Sequence, residues 1–182
     1  MKAKLFFAAC IAALSGCNAT PGVAPAPDVT PLEAAGDYVH PASGFVFPAD
    51  NAGFHRVSLY RRGTDASRIT AGYAGGPPRC LTAVTMFIDP VTPGEDTDQA
   101  FARARAETLK SRPSATLESE DSRDDATFPG RRAIFVDGDR RVEVGLLRAK
   151  GEWDVTHRAV YPVQCAAEVR DRLGNFLPGW RR

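Results

Sequence analysis

Net charge is almost absent from this chain: 23 basic residues stand against 22 acidic ones. Removing Lys2 and Lys4, which lie in a leader described below, leaves 21 against 22. A balance this close to neutral argues against a general nucleic-acid binder. Long hydrophobic runs are also missing. The longest, residues 5–14 (LFFAACIAAL), is half the length needed to span a bilayer. There is no Gly-x-Ser-x-Gly nucleophile elbow, no His-Glu-x-x-His zinc motif and no phosphate-binding loop. Histidine is scarce, at three residues. A zinc site or a catalytic triad would need His40, His55 and His157 to converge with other groups from distant segments.

What is present at the N-terminus is an address. Lys2 and Lys4 precede the apolar run, and Ser15 and Gly16 follow it. A short basic segment, a short apolar core and small residues make a secretory signal. Leu14-Ser15-Gly16-Cys17 is similar to the lipobox of bacterial lipoproteins; the alternative is an ordinary signal with an incidental cysteine. The resemblance implies cleavage before Cys17 and lipidation, including palmitate, on that cysteine. One acyl chain binds a membrane marginally, whereas two or more anchor it. Asn18 stands where lipoproteins retained in the inner membrane typically carry aspartate, so the expected place is the outer membrane, facing the periplasm. Cys10 leaves with the signal.

Two cysteines then remain besides the anchor, Cys80 and Cys165. In an oxidising compartment an even pair predicts a disulfide. Two unrelated buried thiols are the other possibility. Neither cysteine has a His or second Cys at ligand spacing, so no metal site and no cofactor is expected.

The chain divides into a signal (1–16), a lipidated cysteine with a Pro/Ala-rich tether (17–32) and one periplasmic domain (33–182). Residues 18–31 (NATPGVAPAPDVTP) lack apolar periodicity and predict an extended tether. About 165 residues follow the cleavage point, which suits one domain. Residues 54–60 (FHRVSLY) have strand composition, and Ile69, Ala71 and Tyr73 alternate. Residues 72–76 (GYAGG) read as a loop between strands. Residues 80–88 (CLTAVTMFI) are apolar on both faces, predicting a central strand covered on both sides.

Asp96 and Gln99 stand at capping-box spacing before a helix expected to run to Arg112. Phe101, Ala104, Thr108 and Leu109 share one side of it, and Pro113 stops it. Residues 116–120 predict a short edge strand. Residues 132–136 and 142–148 flank Asp137-Gly138, a type I′ hairpin signal. Trp153, Val155, His157 and Ala159 then alternate on a third strand of the meander. Pro162 predicts the first turn of a last helix, with Ala166, Val169, Leu173 and Phe176 inward and Cys165 placed to pin it to the strand starting at Cys80.

The order strands, helix, strands, helix predicts an α+β domain, a mostly antiparallel sheet covered by helices. The segments GFVFP (44–48), GFHR (53–56), TAGY (70–73) and the strand at 82–88 resemble small proteobacterial lipoproteins. The element order resembles the PsbP-like fold, which implies an α/β/α-type sandwich. Proteins of that fold mostly bind or support partners, although fold does not decide function.

Several residues invite chemistry. His55 has Asp50 or Asp89 as a prospective neighbour, and His157 reads as a hydrogen-bonded core residue. Residues 118–125 (ESEDSRDD) offer five carboxylates, enough oxygens for calcium but without EF-hand spacing. A solvated loop is the plainer expectation. Arg131-Arg132, Arg140-Arg141 and Arg181-Arg182, with Trp180, could meet anionic lipid or cell-wall polymer, or simply keep the surface soluble. The expected function is a non-enzymatic periplasmic module, held to the membrane through Cys17 and binding an envelope protein or cell-wall partner through a sheet face, a sheet edge or residues 73–79. The alternatives are a hydrolase whose site converges from distant loops and a purely structural envelope protein.

Overall fold

The computed structural model describes residues 28–64, 66–123 and 130–177. Along the chain run β1 (Val29–Pro31), β2 (Tyr38–Val39), β3 (Val46–Phe47), β4 (Asp50–Asn51), β5 (Phe54–Arg62), β6 (Ile69–Gly75) and β7 (Thr82–Pro90). Then come α1 (Thr97–Ser111), β8 (Thr116–Arg123), β9 (Gly130–Asp137), β10 (Arg140–Ala149), β11 (Trp153–Pro162) and α2 (Ala166–Phe176). The domain is α+β, with one mostly antiparallel sheet and two helices among the described residues. The spatial order is β1-β5-β6-β7-β11-β10-β9-β8, with β4 also paired to β5 and a separate β2–β3 ribbon. Two antiparallel meanders thus meet where β7 pairs with β11.

The register assigns the faces. His157 pairs with Met86 and Gly145, Val155 with Ile88 and Leu147, and Ala159 with Val84 and Glu143. Directly opposed residues share a face. On that first face α2 buries Val169, Leu173 and Phe176 in a core with Phe54, Tyr73, Val84, Met86, Val155 and Tyr161. On the second face α1 buries Ala100, Phe101 and Ala104 against Ala133 and Phe135 of β9 and Val142, Val144 and Leu146 of β10. The helices therefore lie on opposite faces and over different strands.

The capping box forms as the spacing predicts: Gln99 N–H donates to Asp96 at 2.8 Å, and Asp96 N–H donates to the Gln99 side chain at 3.0 Å. Arg148 anchors the start of this helix to the sheet. It pairs with Asp154 at 2.9 Å and donates to the Glu95 and Asp96 carbonyls at 3.0 and 3.4 Å.

Four expectations are corrected. Residues 80–88 do form a central strand, but only one face is covered. Thr82, Val84, Met86 and Ile88 are buried, while Ala83 is exposed, Thr85 and Phe87 are half-buried, and Leu81 just ahead of the strand is 73% exposed. The reason is that α1 sits over β9 and β10 and reaches only Val160 of β11, leaving the second face of β5, β6 and β7 without a helix among the described residues. The stretch expected to be an extended tether gives its last residues to the sheet: Val29 pairs with Arg62 and Pro31 with Tyr60. Pro31 fits there because an edge strand has no partner on one side.

Pro162 ends β11, pairing with Arg140, and the helix starts only at Ala166 after a 3₁₀ turn, Val163–Cys165. The β10–β11 ladder outlasts the helix signal. The β9–β10 loop is Gly138-Asp139, one residue later than expected. Gly138 has φ +61°, and Asp139 is not among the residues with positive φ. That is the II′ pattern, which places glycine first.

Candidate functional site

Cys80 and Cys165 are joined. Their α-carbons lie 5.7 Å apart, inside the limit of about 7 Å for a bridge. The bond ties the approach to β7 to the turn before α2. Cys17, with the rest of residues 1–27, lies outside the described residues, as do Trp180, Arg181 and Arg182.

The histidines do not converge. His40 is fully buried and edge-on to Trp153, with ring centroids 4.9 Å apart. Its Nδ1 shares a 2.7 Å hydrogen bond with Ser43 Oγ, which closes a local turn. His55 meets Asp50, one of its two prospective partners, through its Nδ1. That pair is exposed, at 72% and 68% of the side chains. The other prospect, Asp89, is taken by Arg62, whose Nη2 lies 2.7 Å from both carboxylate oxygens.

His157 is the centre of a buried polar cluster. Its Nε2 lies 3.5 Å from Glu143 Oε1, with both side chains at most 3% exposed. Tyr161 O–H donates to Glu143 Oε2 at 3.3 Å. The strands explain the meeting. Glu143, Gly145, His157, Ala159 and Tyr161 all point to the first face by register. Gly145 has no side chain, and the His157 ring fills the space: a Cβ there would come 2.0 Å from His157 Cε1.

Burial pushes the Glu143 carboxyl up, but the hydrogen bond and charge of His157, the charge of Arg132 and the Tyr161 hydroxyl together hold it below its ordinary value. Glu143 is thus a buried carboxylate in its charged form. Burial and then the negative charge of Glu143 push the Tyr161 phenol well above its ordinary range. The sequence reading missed Glu143. The signal was there in Val142-Glu143-Val144, a single charge flanked by apolar residues in a strand.

The acidic segment 118–125 is not a solvated loop up to Arg123; it is the edge strand β8, longer than expected. Its carboxylates are taken by arginines of neighbouring elements. Glu118 pairs with Arg141, Glu120 with Arg105 at 2.6 Å and Asp121 with Arg132 at 2.5 Å. Arg131 reaches Asp98 of α1 at 2.5 Å, and Arg140 lies 3.8 Å from Asp139. The paired arginines of the hairpin therefore fasten β8 and α1 to the sheet. Among the described residues no group of three or more His, Cys, Asp or Glu side chains is arranged to hold a metal ion. Asp124 and Asp125 lie outside them.

The glycine-rich stretch 72–76 is also strand for most of its length. Tyr73 is buried in β6 and packs edge-on against Phe176 at 4.7 Å, so it is not a loop contact. Among the described residues no helix is long and apolar enough to cross a membrane. No family model, no curated protein and no solved structure matches this chain.

Proposed function

We propose that the chain is a lipoprotein held through acylated Cys17 at the periplasmic face of the outer membrane. Its domain works by binding an envelope protein or cell-wall component and not by catalysis. The observation that carries this is the sealing of a histidine–carboxylate pair in the interior. His157 and Glu143 are too deeply buried to touch a substrate. Their geometry suits a polar core that sets strand register. By contrast, the second face of β5, β6 and β7 has no helix over it among the described residues, and its half-exposed side chains are available to a partner. A tethered domain with such a face meets envelope partners at high effective concentration. The helices on opposite faces of the sheet support the finer fold proposal, a PsbP-like α/β/α sandwich.

One observation favours the hydrolase alternative: His55 and Asp50 form a solvent-accessible pair. A single comparison separates the two. The full chain is sedimented with isolated envelope and also assayed on ester, phosphate-ester and peptide substrates. Co-sedimentation without turnover is expected, unchanged in His55→Ala. Turnover that disappears in a folded His55→Ala variant would establish the hydrolase.

A further inference from the structure

We propose that the β2–β3 ribbon is a second point of membrane contact, a small apolar wedge resting on the lipid bilayer that holds acylated Cys17. The proposal deepens the function above and rests on its anchor reading. It adds an orientation: one corner of the domain is turned toward lipid and the helix-free face away from it.

The ribbon pairs Tyr38 with Phe47 and Val39 with Val46. Directly opposed residues share a side. Phe47 is fully buried and Tyr38 packs against the same core, so Val39 and Val46 point outward together, 55% and 42% exposed. Pro41, Ala42 and Gly44 at the tip are exposed as well. Residues 38–49 (YVHPASGFVFPA) contain no Asp, Glu, Lys or Arg, in a chain that is 25% charged. The other exposed large hydrophobics among the described residues lie singly: Val57 on β5, Leu81 ahead of β7 and Leu117 on β8. Scattered apolar side chains are ordinary on a surface, whereas adjacent ones in an uncharged segment mark a contact. The ribbon is also held in place. His40 lies edge-on to Trp153, Arg56 donates to the Phe47 carbonyl at 2.6 Å, and Lys150 donates to the Ser43 carbonyl at 2.9 Å.

What meets this patch follows from where the chain enters the sheet. Val29 pairs with Arg62, and Gly63 N–H donates to the Asp28 carbonyl at 2.5 Å, so the chain arrives beside the β5–β6 turn. The β10–β11 turn lies at the same end of the sheet, because Ile69 pairs with Ile88, Ile88 with Val155 and Val155 with Leu147. Lys150 of that turn holds the ribbon tip through Ser43, which brings the ribbon to this end too. Four strand spacings separate β5 from β10, roughly 20 Å. Asp28 is eleven residues beyond Cys17. A chain of that length reaches at most about 40 Å. The anchor therefore keeps this end of the domain beside the bilayer, where a weak apolar contact forms at high effective concentration. Charge does not select the lipid: Lys150 has Glu152 two residues away, and Asp37 precedes the ribbon. The contact is apolar burial at the boundary of headgroups and acyl chains. The ribbon packs on the first face of the sheet, so the helix-free second face stays turned away from lipid and open to a partner.

The test places the acylated full chain in phosphatidylcholine nanodiscs doped with a gadolinium-chelate lipid and reads paramagnetic broadening of backbone amides by NMR. The amides of Val39, Ala42 and Val46 should broaden most. Those of Gly138 and Asp139, in the turn at the other end of β10, should broaden least. Val39→Asn combined with Val46→Asn should cut broadening at the ribbon by roughly threefold or more, since apolar burial drives the contact. Ala42→Asp, at the exposed tip, should act the same way and covers the case in which the double variant does not fold. Leu117→Asn should change nothing at the ribbon. Equal broadening at both ends of the sheet, or broadening that neither ribbon variant alters, would overturn the wedge. So would a contact that appears only with added phosphatidylglycerol and disappears in high salt. Mass spectrometry of the same sample separates the two readings. A chain without an acyl group removes the anchor and the ribbon contact together, whereas an acylated chain with uniform broadening removes the ribbon contact alone.

Discussion

The imidazole of His157 lies on the α-carbon of Gly145, its direct partner across the β10–β11 ladder. A methyl group at Gly145 would meet the ring at 2.0 Å. The glycine is there for its missing side chain, not for a turn. Gly145→Ala should therefore destabilise the domain by about 2 kcal/mol or more in urea denaturation, the scale of overpacking in a filled core. Gly36→Ala is the control: nothing lies within 4 Å of the added carbon, and its stability should stay within about 0.5 kcal/mol of the parent.

Glu143 gives the fold an acid limb. Its carboxyl is held below its ordinary value of 4.5 by His157, Arg132 and Tyr161 against the opposing effect of burial. A carboxyl depressed in the folded state contributes stability that is complete above its unfolded pKa. That contribution is lost as pH falls through the lower, folded value. Glu143→Gln should lower stability at pH 7 by about 3–5 kcal/mol, the cost of breaking a buried pair. Below pH 4.5 the parent should lose stability more steeply than the variant. Parallel acid limbs in chemical denaturation would contradict this role.

The Cys80–Cys165 bridge spans a sequence separation of 85 residues. In the chain-entropy description a loop of that size stabilises by roughly 4.5 kcal/mol. Replacing both cysteines by serine should lower the denaturation midpoint by a corresponding amount and abolish the effect of added reductant. Two free thiols in the untreated parent, counted by mass spectrometry, would remove the basis of this prediction.

Anchoring is tested at Cys17. With Cys17→Ser, metabolic labelling by a fatty-acid analogue should vanish and the protein should leave the membrane fraction. Labelling and fractionation identical to the parent would mean that the lipobox resemblance does not operate.

Much of the local structure was legible before the fold. The capping box at Asp96 and Gln99 forms as spaced, because the two groups are three residues apart and need no distant partner. The buried stripe Val169, Leu173 and Phe176 appears at its helical period, and the β9–β10–β11 meander follows its hairpin signals. Boundaries were less legible. Pro162 looked like a helix start, yet the ladder to Arg140 keeps it in β11. Leu81 and Phe87 looked interior because hydrophobicity does not reveal which layer is absent.

The sequence by itself determined the approximate places of both helices and of most long strands, the cysteine pair available for bridging, the resemblance of residues 14–17 to a lipobox and the absence of local catalytic motifs. Each of these is a property of composition, or of residues close together in the chain. Tertiary structure alone decided the partnerships. Glu143 and His157 are 14 residues apart and meet only because the β10–β11 register turns both to one face. The same register turns Arg158 to the other, where Phe87 and Arg62 arrive from β7 and β5. Side chains alternate every residue along a strand, so a one-residue slip would exchange the sealed pair for the open cation. Register is set by the whole sheet packing against its helices, and no short stretch of sequence contains it.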